Sequence, residues 1–380
     1  MRTVTGEHLP IHLWGRWNPP GALEQLRRVA SQPWPVEHVA AMPDLHVANG
    51  ISVGTVFATE RTIVPSALGG DLGCGMTAVR LGPPEREVRE RELTQLLALL
   101  GRAIPVGDAV HRGKGVEVPA ALLEPRLSTG ALLRQRERLA PRHLGTLGGG
   151  NHFLELDRDA DGGLWLLVHS GSRGLGAAIA AHHLRVAEET GVGAIPGLSA
   201  DTPAGATCLE DIAWALSFAK ANREALARSA AAVISEAWGA EPSGTAVDVH
   251  HNFVAAELHF GRELLVHRKG AIAAPLGERA LIPGSMGTAS YLVEGLGAAL
   301  SFRSASHGAG RVLTRREARE QLPLERFRHS MRRVVFDHRR VAALVEEAPA
   351  AYRDIREVLE DEADLVRPLT RLEPLAVLKG

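Results

Sequence analysis

Residues 164–180, LWLLVHSGSRGLGAAIA, join three kinds of local sequence. An apolar run of strand character ends at His169, a glycine-rich turn follows, and an alanine-rich segment of helical character comes next. The order of strand, glycine-rich loop and helix is that of a dinucleotide-binding fingerprint. The stretch therefore raises two alternatives: a nucleotide-cofactor loop, or a strand end whose histidine carries the chemistry.

Glycine also concentrates in other loops that lie beside strand-like runs. Glycines at strand ends let backbone N–H groups approach a ligand closely, which phosphate binding requires. The other glycine-rich loops are ALGGDLGCGM (67–76), LGTLGGGNHF (144–153), IPGSMGTAS (282–290) and SHGAGR (306–311).

The rest of the chain alternates strand-like and helix-like segments. Short β-rich pieces dominate residues 38–80, and TAVDVHHNF has strand character. No Pro/Ser-rich linker or internal repeat divides the chain. We therefore predict one α+β domain over 1–380, with β-sheets flanked by helices and glycine-rich strand-end loops forming a cleft. The predicted helices are 84–101, about 119–140, 208–238 and most of 316–371.

Composition limits the classes of function. The net charge of −1 argues against a protein that coats nucleic acid by bulk electrostatics, but it allows a local basic cleft. Two cysteines, Cys74 and Cys208, are too few for a disulfide framework and favour a reducing compartment. The chain has no signal-peptide pattern and no apolar run of about 18 residues, so we expect a cytoplasmic protein with no membrane association.

The dehydrogenase alternative lacks its catalytic pair. A short-chain dehydrogenase places this loop near its N-terminus and needs a tyrosine with a lysine four positions later. Here Tyr291 is followed at that position by Gly295, and Tyr352 is followed by Arg356. A lone glycine-rich loop is weak support, so the residues that the loops carry are more informative.

The glycine-rich loops and strand ends carry one carboxylate, one thiol and several imidazoles. Imidazole with thiolate favours Mn, Zn, Co, Fe or Ni over Mg or Ca, and a thiolate can bridge two metals. A single strand-end histidine is more often a hydrogen-bonded structural residue than a ligand. The site is supported because several such residues occur together in glycine-rich loops and at strand ends. His46 is left open, and the remaining histidines are expected to be structural or exposed. The candidates are Asp71, Cys74, His152, His169, His250, His251 and His307.

A series of long motifs matches a known family in order and spacing. They are MPDLHVANGISVG, GGDLGCGM, HLGTLGGGNHFLE, HSGSRGLG, HHNF, RKGA, IPGSMGTASYLVEG, SHGAGR and the terminal LKG. From about residue 8 to residue 380 the chain resembles the RtcB-type RNA ligases.

The resemblance implies an enzyme that seals RNA 3′-phosphate or 2′,3′-cyclic phosphate ends to 5′-hydroxyl ends, in RNA repair or tRNA splicing. It implies GTP as co-substrate, two Mn(II) ions with Zn or Co as substitutes, a covalent histidine–GMP intermediate and an RNA-3′-pp-5′-G end. Asp71, Cys74 and His152 would hold one metal, Cys74, His169 and His251 the other, and His307 would be guanylylated. The implied nucleotide pocket is Asn151, His152, Phe153, Leu154, Glu155, His251, Asn252, Pro283, Gly284, Ser285, Met286, Ser290, His307, Gly308, Ala309, Gly310, Tyr352 and Lys379.

The residue chemistry agrees with these implied roles. A neutral imidazole is a competent nucleophile toward phosphorus. The Glu155 carboxylate, which only accepts hydrogen bonds, complements the N1–H and N2 amino donors of guanine and not the N1 acceptor of adenine. The candidates for RNA phosphate contacts are Arg173, Arg268, Lys269 and Arg311.

One departure and two rival functions remain open. Many family members carry a Gly-Lys pair where this chain has Ala48-Asn49, so a positive charge is missing near the expected cleft and the RNA substrate is in doubt. The resemblance allows an archease-type activator, and we expect a monomer. The rivals are a dimetal phosphoesterase, because such sites suit hydrolysis equally, and a non-catalytic RNA-end binder.

Overall fold

The computed structural model describes residues 1–6, 8–85 and 87–380, in which two large β-sheets are flanked by helices. The α+β class predicted from the sequence is confirmed. The described strands are β1 (Arg2–Val4), β2 (Ile11–Leu13), β3 (Pro35–His46), β4 (Val53–Thr59), β5 (Thr62–Ile63), β6 (Gly75–Leu81), β7 (Phe153–Arg158), β8 (Leu164–Ser170), β9 (Leu198–Ser199), β10 (Pro242–His250), β11 (Asn252–His259), β12 (Arg262–Lys269), β13 (Ala271–Ala273), β14 (Arg279–Ile282), β15 (Ser290–Gly295), β16 (Ser304–Ser306) and β17 (Val366–Lys379). The described α-helices are α1 (Pro20–Ala30), α2 (Glu90–Ala103), α3 (Ala120–Leu123), α4 (Gly130–His143), α5 (Leu175–Thr190), α6 (Pro203–Trp238), α7 (Arg315–Gln321), α8 (Leu324–Ser330), α9 (Val341–Leu344) and α10 (Ile355–Asp361).

The larger sheet has seven strands in the order β10-β6-β8-β7-β17-β15-β14, and all its neighbours are antiparallel. The second has six strands in the order β1-β2-β3-β4-β12-β11, with one parallel pair, β2 and β3. Short pairs form between β13 and β16 and between β5 and β9. Antiparallel pairing brings the starts of β6 and β7 to the same sheet edge as the ends of β8, β10 and β17.

The stretch 164–180 lies at the centre of the larger sheet. Its apolar run forms β8, where Leu166, Leu167 and Val168 are fully buried because both faces of the sheet are covered. The turn then passes through positive φ at Arg173 (57°) and Gly174 (83°), and α5 begins at the next residue. The predicted order of strand, loop and helix is confirmed.

The long helix α6 supports the larger sheet from one face. Its N-terminus is capped by Thr202, whose hydroxyl accepts a hydrogen bond from the Gly205 N–H. Apolar residues such as Leu226, Ala230 and Ile234 recur at helical spacing and are fully buried against α2 and the sheet. The helix predicted over 208–238 is therefore confirmed and begins slightly earlier.

Three sequence predictions of secondary structure need correction. The helix expected over 119–140 is two helices, α3 and α4, and Pro125 lies between them. The helix expected from residue 84 begins at Glu90. The region 316–371 contains only short helices, and β17 begins at Val366 rather than near residue 372. The strand tolerates two prolines because its register shifts near both.

None of the helices in the described ranges combines the length and the apolar character that a membrane span requires.

Candidate active site

Strand register brings the metal-ligand candidates together. Cys74 directly precedes β6 and His152 directly precedes β7, while His169 lies at the end of β8 between them. His169 is paired with Met76 on one side and with Phe153 on the other. The donor groups of three distant segments therefore meet at one sheet edge.

Cys74 is shared by two clusters of donor atoms. Its Sγ lies 3.4 Å from His152 Nε2 and 3.3 Å from His169 Nε2. His152 Nε2 lies 3.0 Å from Asp71 Oδ2, and His169 Nε2 lies 3.1 Å from His251 Nε2. In each triad, Asp71–Cys74–His152 and Cys74–His169–His251, the donor atoms all lie within 4.8 Å of one another. These triads are the two predicted ligand sets.

The histidine rings are oriented for coordination. His152 Nδ1 donates to Leu147 O (3.0 Å), and His169 Nδ1 donates to Asn151 O (3.1 Å). Each bond places the ring proton on Nδ1 and leaves an Nε2 lone pair directed at Cys74. Two lone pairs that converge on a thiol are satisfied by a cation, so the donor set fits one or two borderline divalent metals.

The electrostatics of the cluster also favour a cation. Burial lowers the pKa of His169 and His251 well below the ordinary value, and neighbouring histidines add to the effect, so both rings are neutral and have a lone pair available for a metal. Burial raises the pKa of the Cys74 thiol, and the Asp71 carboxylate raises it further. A bound divalent cation would reverse that effect and displace the thiol proton.

Close packing around the Cys74 loop depends on a glycine and on α6. A Cβ on Gly75 would lie 2.1 Å from Val249 O, so a larger residue would push β6 and β10 apart. The fully buried Arg223 donates from Nη1 to Gly73 O (2.8 Å) and pairs with Asp248 (2.7 Å). The Arg223 side chain therefore fixes the Cys74 loop to α6. The sequence signal was weak: a charged residue on a largely apolar helix face.

His307 follows β16 and is held by a residue that the sequence analysis did not select. Its Nδ1 donates to Asp44 Oδ2 at 2.5 Å, and its backbone N–H donates to the same oxygen at 3.1 Å. Asp44 is fully buried. With the proton on Nδ1, the lone pair of the neutral ring lies on Nε2. The His307 ring centroid lies 4.8 Å from that of His251, beside the metal-donor cluster.

A cavity of about 320 Å³ extends from the metal-donor cluster past His307. Gly310 lies on its wall with φ 72°, where a Cβ would be 2.8 Å from Asp44 O, so glycine is required at this contact. The predicted site residues that line the cavity are Asn151, Phe153, Glu155, His169, His251, Asn252, Pro283, Gly284, Ser285, Met286, Ser290, His307, Gly308, Ala309, Gly310, Tyr352 and Lys379.

The predicted pocket residues His152 and Leu154 lie elsewhere. His152 belongs to the metal-donor cluster, and the side chain of Leu154 packs in the apolar core with Leu166 and Leu226. Leu154 alternates with the cavity residues Phe153 and Glu155 along β7, so it faces the opposite side of the sheet. The cavity also includes residues that the sequence analysis did not select: Val53, Gly270, Arg315, Glu347 and Val377.

A charged network of Lys379, Glu347, Tyr352 and Arg311 lines another part of the cavity. Lys379 Nζ donates to Glu347 Oε2 (2.9 Å), and the Tyr352 hydroxyl donates to the same oxygen (2.8 Å). Arg311 Nη1 donates to the Tyr352 hydroxyl oxygen (2.7 Å). Burial alone would raise the pKa of Glu347, but the Lys379 ammonium and the Arg311 guanidinium lower it overall. Glu347 is therefore a buried carboxylate that anchors Lys379.

Two of the four predicted RNA phosphate contacts are wrong. Arg268 is fully buried, pairs with Glu257 and donates to Ser304 Oγ (2.8 Å). Lys269 is 7% exposed and donates to backbone carbonyls, one of them Asn49 O at 3.0 Å. Both charges are therefore used inside the fold.

Arg173 and Arg311 lie closer to the expected chemistry. Arg173 Nη1 lies 3.3 Å from His152 Nδ1, so its guanidinium is beside the metal-donor cluster. Arg311 lines the cavity. Two of the remaining histidines are also placed. His46, which the sequence left open, lines the cavity and donates to Asp44 O (2.8 Å), whereas His250 donates to Gly73 O (2.9 Å) outside both donor triads.

Comparisons with known proteins identify the family. The family model described as tRNA-splicing ligase RtcB matches residues 25–134 and 127–380. The RNA-splicing ligase RtcB of Escherichia coli K12 is 34% identical over 406 residues, covering 99% of each chain. The protein of the same name from Mycobacterium tuberculosis H37Rv is 32% identical over 94% of this chain and 100% of its own. The tRNA-splicing ligase RtcB of Thermococcus kodakarensis is 29% identical over 94% of this chain and 91% of its own. This chain belongs to the RtcB family of RNA-splicing ligases.

Proposed function

We propose that this RtcB-family RNA ligase joins 3′-phosphate or 2′,3′-cyclic phosphate RNA ends to 5′-hydroxyl ends after its His307 is guanylylated by GTP. One observation carries the proposal. His307 is held by Asp44 beside the metal-donor cluster, and it lines one cavity with Glu155 and Lys379. A nucleophile, a phosphate-binding end and a base-binding end thus share one cavity.

The reaction has three transfer steps. The first two occur at the α-phosphorus of GTP, and the third occurs at the RNA 3′-phosphorus. His307 Nε2 bonds to the α-phosphorus of GTP, and pyrophosphate leaves. An oxygen of the RNA 3′-phosphate then attacks that phosphorus, breaks the phosphoramidate bond and forms the RNA-3′-pp-5′-G end. Finally the 5′-hydroxyl oxygen attacks the RNA 3′-phosphorus, loses its proton and expels GMP. A cyclic phosphate must first be opened by hydrolysis.

Asp44 prepares the nucleophile for the first transfer. By accepting the Nδ1 proton it fixes the tautomer in which Nε2 is the nucleophile, and it stabilises the positive charge that develops on the ring as the new bond forms. The second bond from the His307 backbone to the same carboxylate oxygen fixes the position of the ring. A rigid ring lowers the entropic cost of attack.

The two donor triads would hold Mn(II), or Zn or Co as substitutes, with Cys74 common to both. Bound divalent ions supply charge neutralisation and alignment for phosphoryl transfer. Arg173 lies beside the cluster and would add a fixed positive charge for RNA phosphates.

Glu155 would select the base. It lies on the cavity wall and is 3% exposed, so a purine that fails to pair with it leaves a buried acceptor unsatisfied. Guanine offers two donors on one edge and adenine offers an acceptor there, which favours GTP. The low cysteine count supports a reducing, cytoplasmic setting. We also propose one domain over residues 1–380, a monomer and an archease-type activator.

Intact-mass spectrometry after incubation with GTP and Mn(II) tests the proposal. Wild type should gain the mass of one GMP, and His307→Ala should gain none. The exposed His329 provides a control, because His329→Ala should retain the adduct. An unmodified wild type, or an adduct that persists in His307→Ala, would overturn the mechanism. GTP-independent release of phosphate from RNA 3′-ends would favour the phosphoesterase instead.

A further inference from the structure

Two acidic residues lie side by side on β7, at the base-binding end of the cavity. Glu155 and Asp157 are two positions apart, so their side chains project from the same face of the strand. Glu155 lines the cavity. Asp157 does not line it and is fully buried one step further along the strand.

Asp157 is unusual because both its carboxyl oxygens are buried without a hydrogen-bond donor among the described residues. The polar group within its reach is the Glu155 carboxyl, which is itself an acceptor when ionised. On the paired strand β8, the residues opposite are Leu167 and Trp165, and the Trp165 indole N–H donates to Asp159 instead. Two ionised carboxylates in this place would therefore both lack a donor.

Among the described residues, two other charged groups act on the pair. Lys379 on β17 lies near Glu155, but its Nζ is bonded to Glu347 (2.9 Å). Glu373 on the same strand adds negative charge near Asp157. Neither group gives Asp157 a donor, so a proton held between the two carboxyls is the simplest way to satisfy it.

The protonation equilibria support this interpretation. Burial raises the pKa of Asp157 to about 8, and Glu373 adds to the rise. Burial also raises the pKa of Glu155 well above its ordinary value, and the charge of Asp157 raises it further. A pair of this kind titrates as a unit and holds at least one proton near neutral pH.

We propose that Asp157 is a positioning residue for base recognition, which shares one proton with Glu155 and thereby allows Glu155 to accept hydrogen bonds from the guanine edge. The inference rests on the proposed function, because it specifies how the GTP pocket distinguishes purines.

The shared proton explains how a buried glutamate can meet two donors. In the empty cavity the proton satisfies whichever carboxyl has no other partner. When guanine presents N1–H and N2–H to Glu155, the proton moves to Asp157, whose O–H then donates back to Glu155. No proton leaves the protein and no second buried charge is created. Adenine presents an acceptor at N1 and does not draw the proton across.

The test is the pH dependence of purine discrimination. Dissociation constants of GMP and AMP are measured from about pH 6 to about pH 9, and their ratio cancels titration of the phosphate and of His307, which both nucleotides share. In wild type the preference for GMP should rise, by up to about tenfold per pH unit, above about pH 8, because a pair that loses its proton still accepts from the guanine edge but cannot donate to adenine N1.

Asp157→Asn should remove most of that pH dependence. The asparagine N–H is a permanent donor to Glu155, so the preference for GMP should change less than about twofold over the same range. Asp161→Asn, a substitution in the exposed turn after β7, is the matched control and should follow wild type. A profile for Asp157→Asn that superimposes on wild type would overturn the role of Asp157.

Two further outcomes separate the inference from the proposed function. A wild type that binds GMP and AMP equally at every pH would refute the guanine pocket itself. If Asp157→Asn does not fold, infrared difference spectra of wild type decide the matter. GMP should shift the C=O band of a protonated carboxyl group without abolishing it, and an unchanged band would overturn the shared proton.

Discussion

The two ends of the cavity are built in different ways. At the metal end, Cys74, His152 and His169 are next to one another because the strands that carry them are hydrogen-bonded neighbours. At the end proposed to bind the base, here called the base end, Glu155 and Lys379 are brought together by β7 and β17, but their environment depends on buried partners from elsewhere, such as Glu347. Backbone register thus determines the first end, and buried charge determines the second. Metal retention should be lost when a donor atom at the metal end is removed. Base preference should change when a buried proton or a charged partner at the base end is altered.

The largest effect is expected for Cys74→Ala. The thiol belongs to both donor triads, so its loss should reduce Mn(II) retention and abolish the GMP adduct. The loss should exceed the roughly 10–100-fold typical of residues that only orient a ligand. Metal analysis after dialysis and adduct mass spectrometry measure both quantities. Cys208→Ala removes the other buried cysteine and should be active; equal loss in both variants would assign Cys74 to the core.

The next largest effect is expected for Asp44→Asn. The change removes the carboxylate that fixes the His307 tautomer but touches neither donor triad. Adduct formation should slow about 10–100-fold, while Mn(II) retention stays at the wild-type level. Single-turnover adduct kinetics provide the rate. If Asp44→Asn loses Mn(II) as well as the rate of adduct formation, the Asp44–His307 pair and the donor triads do not act separately. Asp201→Asn on the surface controls for the loss of an acidic residue.

The sequence predicted the donors at strand ends better than the buried partners of charged residues, for a physical reason. Glycine-rich loops mark strand ends, so Cys74 and His169 could be selected from local sequence. Asp44 is 263 residues from His307, and nothing local to either residue indicates their contact. Arg268 was misassigned because its partner Glu257 lies on the neighbouring strand, where burial makes the ion pair structural.

The fold shows the same limit. The spacing of apolar residues predicted α6 and β8, because the buried residues of each element form a pattern within its own sequence. It failed over 119–140, where Pro125 separates two helices, and in the region before Val366, where short helices are set by contacts between distant segments. Elements with a strong period were predictable, and those defined by tertiary contacts were not.

A smaller effect is expected at the base end for Glu155→Gln. The amide retains one acceptor oxygen but replaces the other with a donor that opposes the guanine amino group. The preference for GTP over ATP in adduct formation should fall at least about tenfold, since tenfold is about 1.4 kcal/mol and one charge-assisted hydrogen bond contributes about 1.5–3 kcal/mol. Competition between the two nucleotides measures it. An unchanged preference would place base selection elsewhere in the cavity, and Glu294→Gln on β15 is a control.

The smallest effect is expected for stability in Asp157→Asn. The pKa of Asp157 is raised to about 8 in the folded protein, whereas the unfolded chain releases this proton near pH 4. The folded state therefore binds the extra proton, and the contribution of Asp157 to stability decreases as pH rises from about 4 to about 8. Asparagine does not titrate, so the variant should gain about 1–3 kcal/mol over wild type at pH 8 and little at pH 4. Urea unfolding at both pH values measures the difference, and Glu362, whose pKa is also raised to about 8, contributes equally to both proteins. A stability difference that does not vary with pH would show that the buried carboxyl pair does not hold a proton. Backbone register would then determine the base end as it does the metal end.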